Sequence, residues 1–240
     1  MLSEETSLLY EGKSKRVLGT EDPTRVILEF KDDATAFNGV KHAQIEGKGV
    51  LNAKLSAFFY GLLAQAGVRH HLIEVLSPTQ QLCERVDVMM VEVVVRNVVA
   101  GSFARRYGRE EGEALPGPLV EFFVKSDPLD DPLIGFDAAV ALGLAQPWEL
   151  HLAREQALVI NRVLRDFWAE RGVDLVDFKV EFGRTANGML LLCDEISPDS
   201  CRLWEQGTQR KLDKDVFRRD LADLAETYKE VLERAMGTSA

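Results

Sequence analysis

Residues 175 to 200 constrain this chain most. They read Leu-Val-Asp-Phe-Lys-Val-Glu-Phe-Gly-Arg-Thr-Ala-Asn-Gly-Met-Leu-Leu-Leu-Cys-Asp-Glu-Ile-Ser-Pro-Asp-Ser. The alternation predicts a strand with Val176, Phe178, Val180 and Phe182 on one face and Asp177, Lys179 and Glu181 on the other. Asn187-Gly188 predicts a tight hairpin, because both residues tolerate the positive φ of a type I′ turn. A two-residue loop there sets Ala186 opposite Met189 and, farther down the ladder, Glu181 opposite Asp194, with Cβ atoms about 5 Å apart. Carboxylates so placed repel. A hard divalent cation would offset the repulsion, since Mg²⁺ is commonly held by one or two carboxylates plus substrate phosphates. Lys179 shares the face and is ready for an anionic ligand. A solvated hairpin with ordinary acids is the plainer alternative, and a three-residue loop would shift the register and separate the pair. Met189, Leu190, Leu191 and Leu192 are apolar on both faces, which argues for a buried strand and for carboxylates lining an interior cleft.

The chain has 240 residues, enough for one large domain or two small ones. Its formal net charge of −10 argues against a nucleic-acid backbone or an anionic membrane surface as partner. Small anionic substrates stay open, because a local Lys/Arg cluster can act inside an acidic protein. Cys83, Cys193 and Cys201 lack CxxC spacing and suit a reducing compartment. His42, His70, His71 and His151 make no metal-ligand motif. With no apolar signal segment and no apolar run of about 18 residues, a cytoplasmic protein is expected.

Along the chain, residues 8 to 19 read as a strand interrupted by Gly12, with Val26 to Phe30 as its hairpin partner across Asp22-Pro23. Gly12-Lys13-Ser14 is no Walker loop, because Ser7 stands where the pattern needs glycine. A turn with Lys13 and Lys15 could still cover phosphates, as a glycine-rich hairpin does in kinases, or be a plain exposed tip. Residues 31 to 41 read as a polar loop and Gly49 to Ala66 as a helix stopped by Gly67. Residues 72 to 76 and 81 to 95 read as strands. Glu92 and Arg96 lie four apart on one face of the second, and an Arg ending a buried strand needs a salt-bridge or ligand partner. Ser102 is a good N-cap for a helix over Phe103 to Glu113, and a helix N-terminus beside an Arg can take an anion or be merely capped. Leu119 to Lys125 is a short strand; Trp148 to Arg171 and Asp215 to Met236 are amphipathic helices. Residues 197 to 204 read as a loop rich in functional groups.

Tyr10-Glu-Gly-Lys-Ser-Lys15, Asp32-Asp-Ala-Thr-Ala-Phe-Asn-Gly39, Val95-Arg-Asn with Ala100-Gly-Ser102, Leu175 to Gly183, and Asp194-Glu-Ile-Ser-Pro-Asp-Ser-Cys-Arg-Leu-Trp204 together resemble one family. It is the SAICAR synthetase (phosphoribosylaminoimidazole-succinocarboxamide synthase) family of purine biosynthesis. The segments occur in family order over nearly the whole chain; Ala53, where relatives often carry a second asparagine, is a departure. The resemblance implies an α+β fold, with a small antiparallel ATP-covering sheet in residues 1–85 and a larger mixed portion with C-terminal helices in 86–240. It implies a ligase that joins L-aspartate to carboxyaminoimidazole ribotide (CAIR) with ATP, as a homodimer. On this reading Glu181 and Asp194 hold Mg²⁺ and, with Lys179, carry the catalysis. Gly12, Lys13, Ser14, Lys15 and Lys125 meet ATP. Arg96, Ser102 and Arg202 hold the ribotide phosphate, Asp177 and Lys179 the imidazole substrate, and Asn38, Lys41, Asp199 or Ser200 the aspartate. A small-molecule kinase and a non-catalytic nucleotide-binding module are the rival readings.

Overall fold

The computed structural model describes residues 7–36 and 40–237. Asn38 therefore lies outside the described residues. In chain order come β1 (Leu8–Glu11), β2 (Lys15–Gly19), β3 (Arg25–Phe30), β4 (Asp33–Ala36), β5 (Lys41–Gln44), α1 (Lys48–Gln65), β6 (Leu72–Val75) and β7 (Gln80–Glu84). They are followed by β8 (Asp87–Val98), α2 (Gly101–Tyr107), β9 (Ala114–Val124), β10 (Leu133–Ile134), α3 (Phe136–Ala141), α4 (Pro147–Ala169) and β11 (Val173–Arg184). The chain ends with β12 (Leu190–Cys193), β13 (Cys201–Glu205), α5 (Asp215–Arg218) and α6 (Leu224–Met236). One sheet has the order β1-β2-β3-β7-β6, a second β10-β9-β8-β11-β12 with β13 also on β11, and β4-β5 form a separate ribbon. The fold is α+β, and every pairing between named strands is antiparallel.

Several expected elements divide. Residues 8 to 19 are not one strand: the chain turns at Gly12, whose N–H donates to the Lys15 carbonyl at 2.8 Å, and β1 folds back on β2. Residues 81 to 95 fall into β7 and β8, and the chain passes from the first sheet to the second between them. The helix expected to Glu113 stops after Tyr107, where Gly108 takes φ +61°. Residues 215 to 236 form two helices, because Asp220 is left-handed and Asp223 caps α6 through the Glu226 N–H. Cys201 to Glu205 is a strand on β11, not a loop.

α4 shows why the core forms. Gln146 and Glu149 make a capping box, Pro147 opens the first turn, and Leu150, Ala153, Ala157, Ile160, Leu164 and Trp168 are buried on one face. That face and Leu55, Phe59 and Leu63 of α1 pack on Val91, Val93 and Val95 of β8, Phe122 of β9 and Phe178, Val180 and Phe182 of β11. Val176 departs from the expected face. A bulge between Leu175 and Asp177 turns Leu175 into the main core and Val176 toward Ala100 and Trp204. The opposite face of the sheet is left for polar groups.

Candidate active site

The polar face is a grid built by alternation. Asp177, Lys179 and Glu181 of β11 lie beside Arg96, Val94 and Glu92 of β8, which lie beside Leu119, Glu121 and Phe123 of β9. The hairpin register differs from the expected one. Thr185 pairs with Met189 across a three-residue loop with Gly188 at φ +83°, so Glu181 faces Cys193 and not Asp194. The like-charged cross-strand pair is instead Glu181 with Glu92. Lys179 separates them, its Nζ 2.7 Å from Glu92 Oε1 and 3.0 Å from Glu181 Oε1, and Lys125 donates to Glu181 at 2.7 Å. Burial and the Glu181 charge push the Glu92 carboxyl above the usual range. Burial works against the Lys179 ammonium, but Glu181 and Glu92 outweigh it and hold its pKa well above normal.

Asp194 closes this end from the turn after β12. It is a non-glycine residue at φ +69°, and Tyr60 fixes it by donating from Oη to its carbonyl at 2.9 Å. Its carboxylate accepts from Lys15, which also donates to Glu195 at 2.6 Å. Burial would raise the Asp194 pKa; Lys15 and Lys179 outweigh it and hold it well below the carboxylate range. The β1–β2 hairpin is thus pinned to the large sheet by Lys15, with Lys13 reaching Asp127 at 2.6 Å.

Arginines gather at the other end. Arg96 donates Nε to Glu121 at 2.6 Å, Nη1 to Asp177 at 2.8 Å and Nη2 to Ser102 Oγ at 3.2 Å. Arg202 of β13 donates Nη1 to both Asp177 oxygens and Nε to Asp215. Ser102 is no N-cap. Ala100 holds that position, which leaves the Ser102 hydroxyl to Arg96. Gly101 lets Arg202 approach: at φ +55°, a Cβ there would lie 2.6 Å from Arg202 Nη2.

The family model for SAICAR synthetase matches residues 8–235. The phosphoribosylaminoimidazole-succinocarboxamide synthase of Brevibacillus brevis is 49% identical over 98% of both chains, and that of Chlorobium chlorochromatii 54% over 95% of this chain and 97% of its own. The chain belongs to the SAICAR synthetase family. Its fold superposes on the enzyme from Ehrlichia chaffeensis with a TM-score of 0.94 at 38% identity, covering 98% of this chain and 100% of that one. It superposes on a SAICAR synthetase in complex with ADP with a TM-score of 0.92 at 48% identity, covering 96% and 98%.

The residues singled out in the sequence fall into three places. Lys15, Lys125, Lys179, Glu181 and Asp194 share one end of the grid, with Gly12, Lys13 and Ser14 at the tip of the hairpin above it. Arg96, Ser102, Asp177 and Arg202 share the other end. Asp199 lies apart from both ends' hydrogen bonds: it accepts from Lys48 at 2.6 Å and Tyr228 at 2.5 Å. Lys41 meets the Phe217 carbonyl and Asp220, and the Ser200 hydroxyl bonds within its own loop. Glu92, Glu121, Lys48, Tyr60 and Asp215 join these contacts although the sequence reading gives them no site role. Glu92 and Glu121 carried a signal, each being a lone acid inside an apolar strand; Tyr60 carried none.

Proposed function

We infer that the chain is a phosphoribosylaminoimidazole-succinocarboxamide synthase, an ATP-dependent ligase that couples L-aspartate to CAIR. Membership of the family carries the reading, and the two-ended grid supports it in physical terms. The ends lie four residues apart along β11, about 13 Å, a span for a ribotide with its phosphate on the arginines and its imidazole toward Lys179. Arg96 and Arg202 offer planar donor forks to the phosphate beside the Ser102 hydroxyl. The carboxylate of CAIR then lies near the lysine end, where the nucleotide enters beneath the β1–β2 hairpin. Its oxygen takes the γ-phosphoryl group, ADP leaves, and an acyl phosphate forms. The amine of aspartate attacks the acyl carbon, loses a proton, and phosphate departs as the amide C–N bond forms. Positioning and charge neutralisation suffice for such a transfer, so no protein nucleophile is needed.

The donor set fits Mg²⁺. Glu181 and Asp194 supply hard oxygen ligands, and among the described residues no cluster of three or more His, Cys, Asp or Glu forms a metal cage. Mg²⁺ suits such a site because it completes its shell with phosphate oxygens and water. When bound it would neutralise charge on the nucleotide phosphates. The two carboxylates would hold it, with Lys15 and Lys125 turning from them to phosphate oxygens and Lys179 left to the CAIR carboxylate. The same reading takes residues 1–85 as the part that covers ATP, the cytoplasm as compartment and a homodimer as assembly.

The test is ADP release with ATP, Mg²⁺, CAIR and aspartate, repeated with each substrate omitted. Release that requires both CAIR and aspartate, with matching succinocarboxamide product, is expected. Turnover indifferent to aspartate would point to a kinase, and no turnover from folded protein to a binding role. Gly101→Ala tests the phosphate end. The new methyl displaces Arg202 from Asp177 and forces alanine into a left-handed conformation. The KM for CAIR should rise about tenfold or more, as for loss of a charged hydrogen bond, with the KM for ATP unchanged. An unchanged KM for CAIR would remove Arg202 from that role.

A further inference from the structure

Glu121 is the one acid of the grid whose place beside the arginine end lacks an explanation in the reaction. It is buried, with 7% of its surface exposed, and a carboxylate there repels a phosphate. Both of its oxygens are engaged: Oε2 accepts from Arg96 Nε at 2.6 Å, and Oε1 accepts from Arg106 Nη2. It therefore presents no free oxygen to a ligand. It acts on the two guanidinium groups.

Its effect on Arg96 is geometric. A guanidinium is a flat fork with donors along three edges. Glu121 takes Nε and Asp177 takes Nη1, so the plane is fixed from two sides. The remaining edge, Nη2, points to the Ser102 hydroxyl. Without Glu121 the long side chain would keep only Asp177 and the longer bond to Ser102, both at its far end, and could rotate about its terminal bonds.

Its effect through Arg106 is on the helix. Ser102 and Arg106 are four residues apart in α2 and so lie on one side of it. Arg106 is held among Phe103, Tyr107 and Phe123, with ring centroids at 5.8, 5.1 and 5.6 Å, and its Nη2 is anchored on Glu121. Because Glu121 belongs to β9, this contact ties the short helix to the sheet next to the residue it must meet.

We propose that Glu121 is a positioning residue of the phosphate site, fixing the plane of the Arg96 guanidinium and, through Arg106, docking the helix that presents Ser102. The proposal rests on the reading of Arg96, Ser102 and Arg202 as the ribotide-phosphate site. The full-length enzyme is assayed as Glu121→Gln, Arg106→Met and Arg96→Met, with CAIR and ATP varied separately and ribose 5-phosphate as a competitive probe.

Glu121→Gln should raise the KM for CAIR and the inhibition constant of ribose 5-phosphate together by about tenfold, the worth of one charged hydrogen bond. Its KM for ATP and its kcat should stay near those of the unmodified enzyme. Arg106→Met should move the same two constants in the same direction, and it decides the matter if Glu121→Gln does not fold. A rise in Arg96→Met with no change in the other two variants overturns the positioning role and leaves the phosphate site standing. No rise in Arg96→Met overturns the phosphate site itself. A fall in kcat with both KM values raised would mean general structural damage and would also overturn the proposal.

Discussion

Glu181→Gln is expected to lower turnover by about a hundredfold or more while the protein keeps its fold. Glu181 accepts from both Lys125 and Lys179 through Oε1, and it is 4% exposed as a residue. Glutamine has the same shape and can still accept at that oxygen, so packing is preserved. The negative charge is lost, and with it half of the carboxylate pair proposed to hold Mg²⁺ against the nucleotide. A bound metal contributes several kcal/mol of charge stabilisation to a transferring phosphoryl group, and each 1.36 kcal/mol is about tenfold in rate. The check has three parts: kcat at saturating substrates, thermal unfolding, and Mn²⁺ binding in the presence of ADP. Lower kcat and weaker Mn²⁺ binding are expected with little change in unfolding temperature, because Lys179 keeps Glu92 as partner and the loss of the Glu181 charge relieves its repulsion with Glu92. Turnover and Mn²⁺ affinity equal to those of the unmodified enzyme would remove Glu181 from the metal site.

Glu181 does face another acid across the sheet, but the acid is Glu92 of β8 and not Asp194. Alternation along β11 put Asp177, Lys179 and Glu181 on one face, as they are, because period two is a property of the strand itself. The register of a hairpin is not local in the same way. It depends on one residue of loop length, and Asn187-Gly188 serves a three-residue loop as well as a two-residue one, since glycine supplies the left-handed position in both. The slip removed Asp194 from the ladder and left it in a turn, where Tyr60 and Lys15 hold it. The true facing acid, Glu92, arrives from a strand more than 80 residues earlier in the chain. Nothing local announces which strands will neighbour each other, so topology was legible only through family resemblance. A charge inside an apolar run is a local signal for such partners. Glu92 sits in Val-Glu-Val-Val-Val and Glu121 in Leu-Val-Glu-Phe-Phe, and a buried acid must find a cation. The bulge at Val176 depends on partners distant in sequence, Ala100 and Trp204, whereas the break before α6 is local, made by Asp220 and the Asp223 cap.

Lys48→Met is expected to destabilise the fold by about 3–5 kcal/mol, the range for removing one partner of a buried ion pair. Lys48 is an odd choice for its position. It opens α1, where the helix dipole disfavours a cation, and its side chain has no exposure. Its ammonium lies 2.6 Å from Asp199, whose other oxygen accepts from Tyr228 of α6. The cluster therefore ties α1, α6 and the loop after β12 together. Burial works against the Asp199 charge, but Lys214 and Lys48 outweigh it and hold the carboxyl well below its usual pKa. A carboxyl lowered by folding adds stability that is fully present above its unfolded pKa of about 3.9 and is lost as pH falls through the folded value. The variant should thus unfold at a higher pH than the unmodified protein during acid titration, besides unfolding at lower denaturant. Lys214, 3.7 Å from Asp199, can offset only part of the loss, because its own ammonium is buried and disfavoured. Lys48→Met/Asp199→Asn is the deciding comparison. With both charges gone neither Lys48 nor Asp199 is left facing a missing partner and only Lys214 loses its carboxylate, so the double variant should be more stable than the sum of the two single losses predicts. Additive losses would mean that Lys48 and Asp199 act separately, and that the tie between α1 and the loop is made by packing alone.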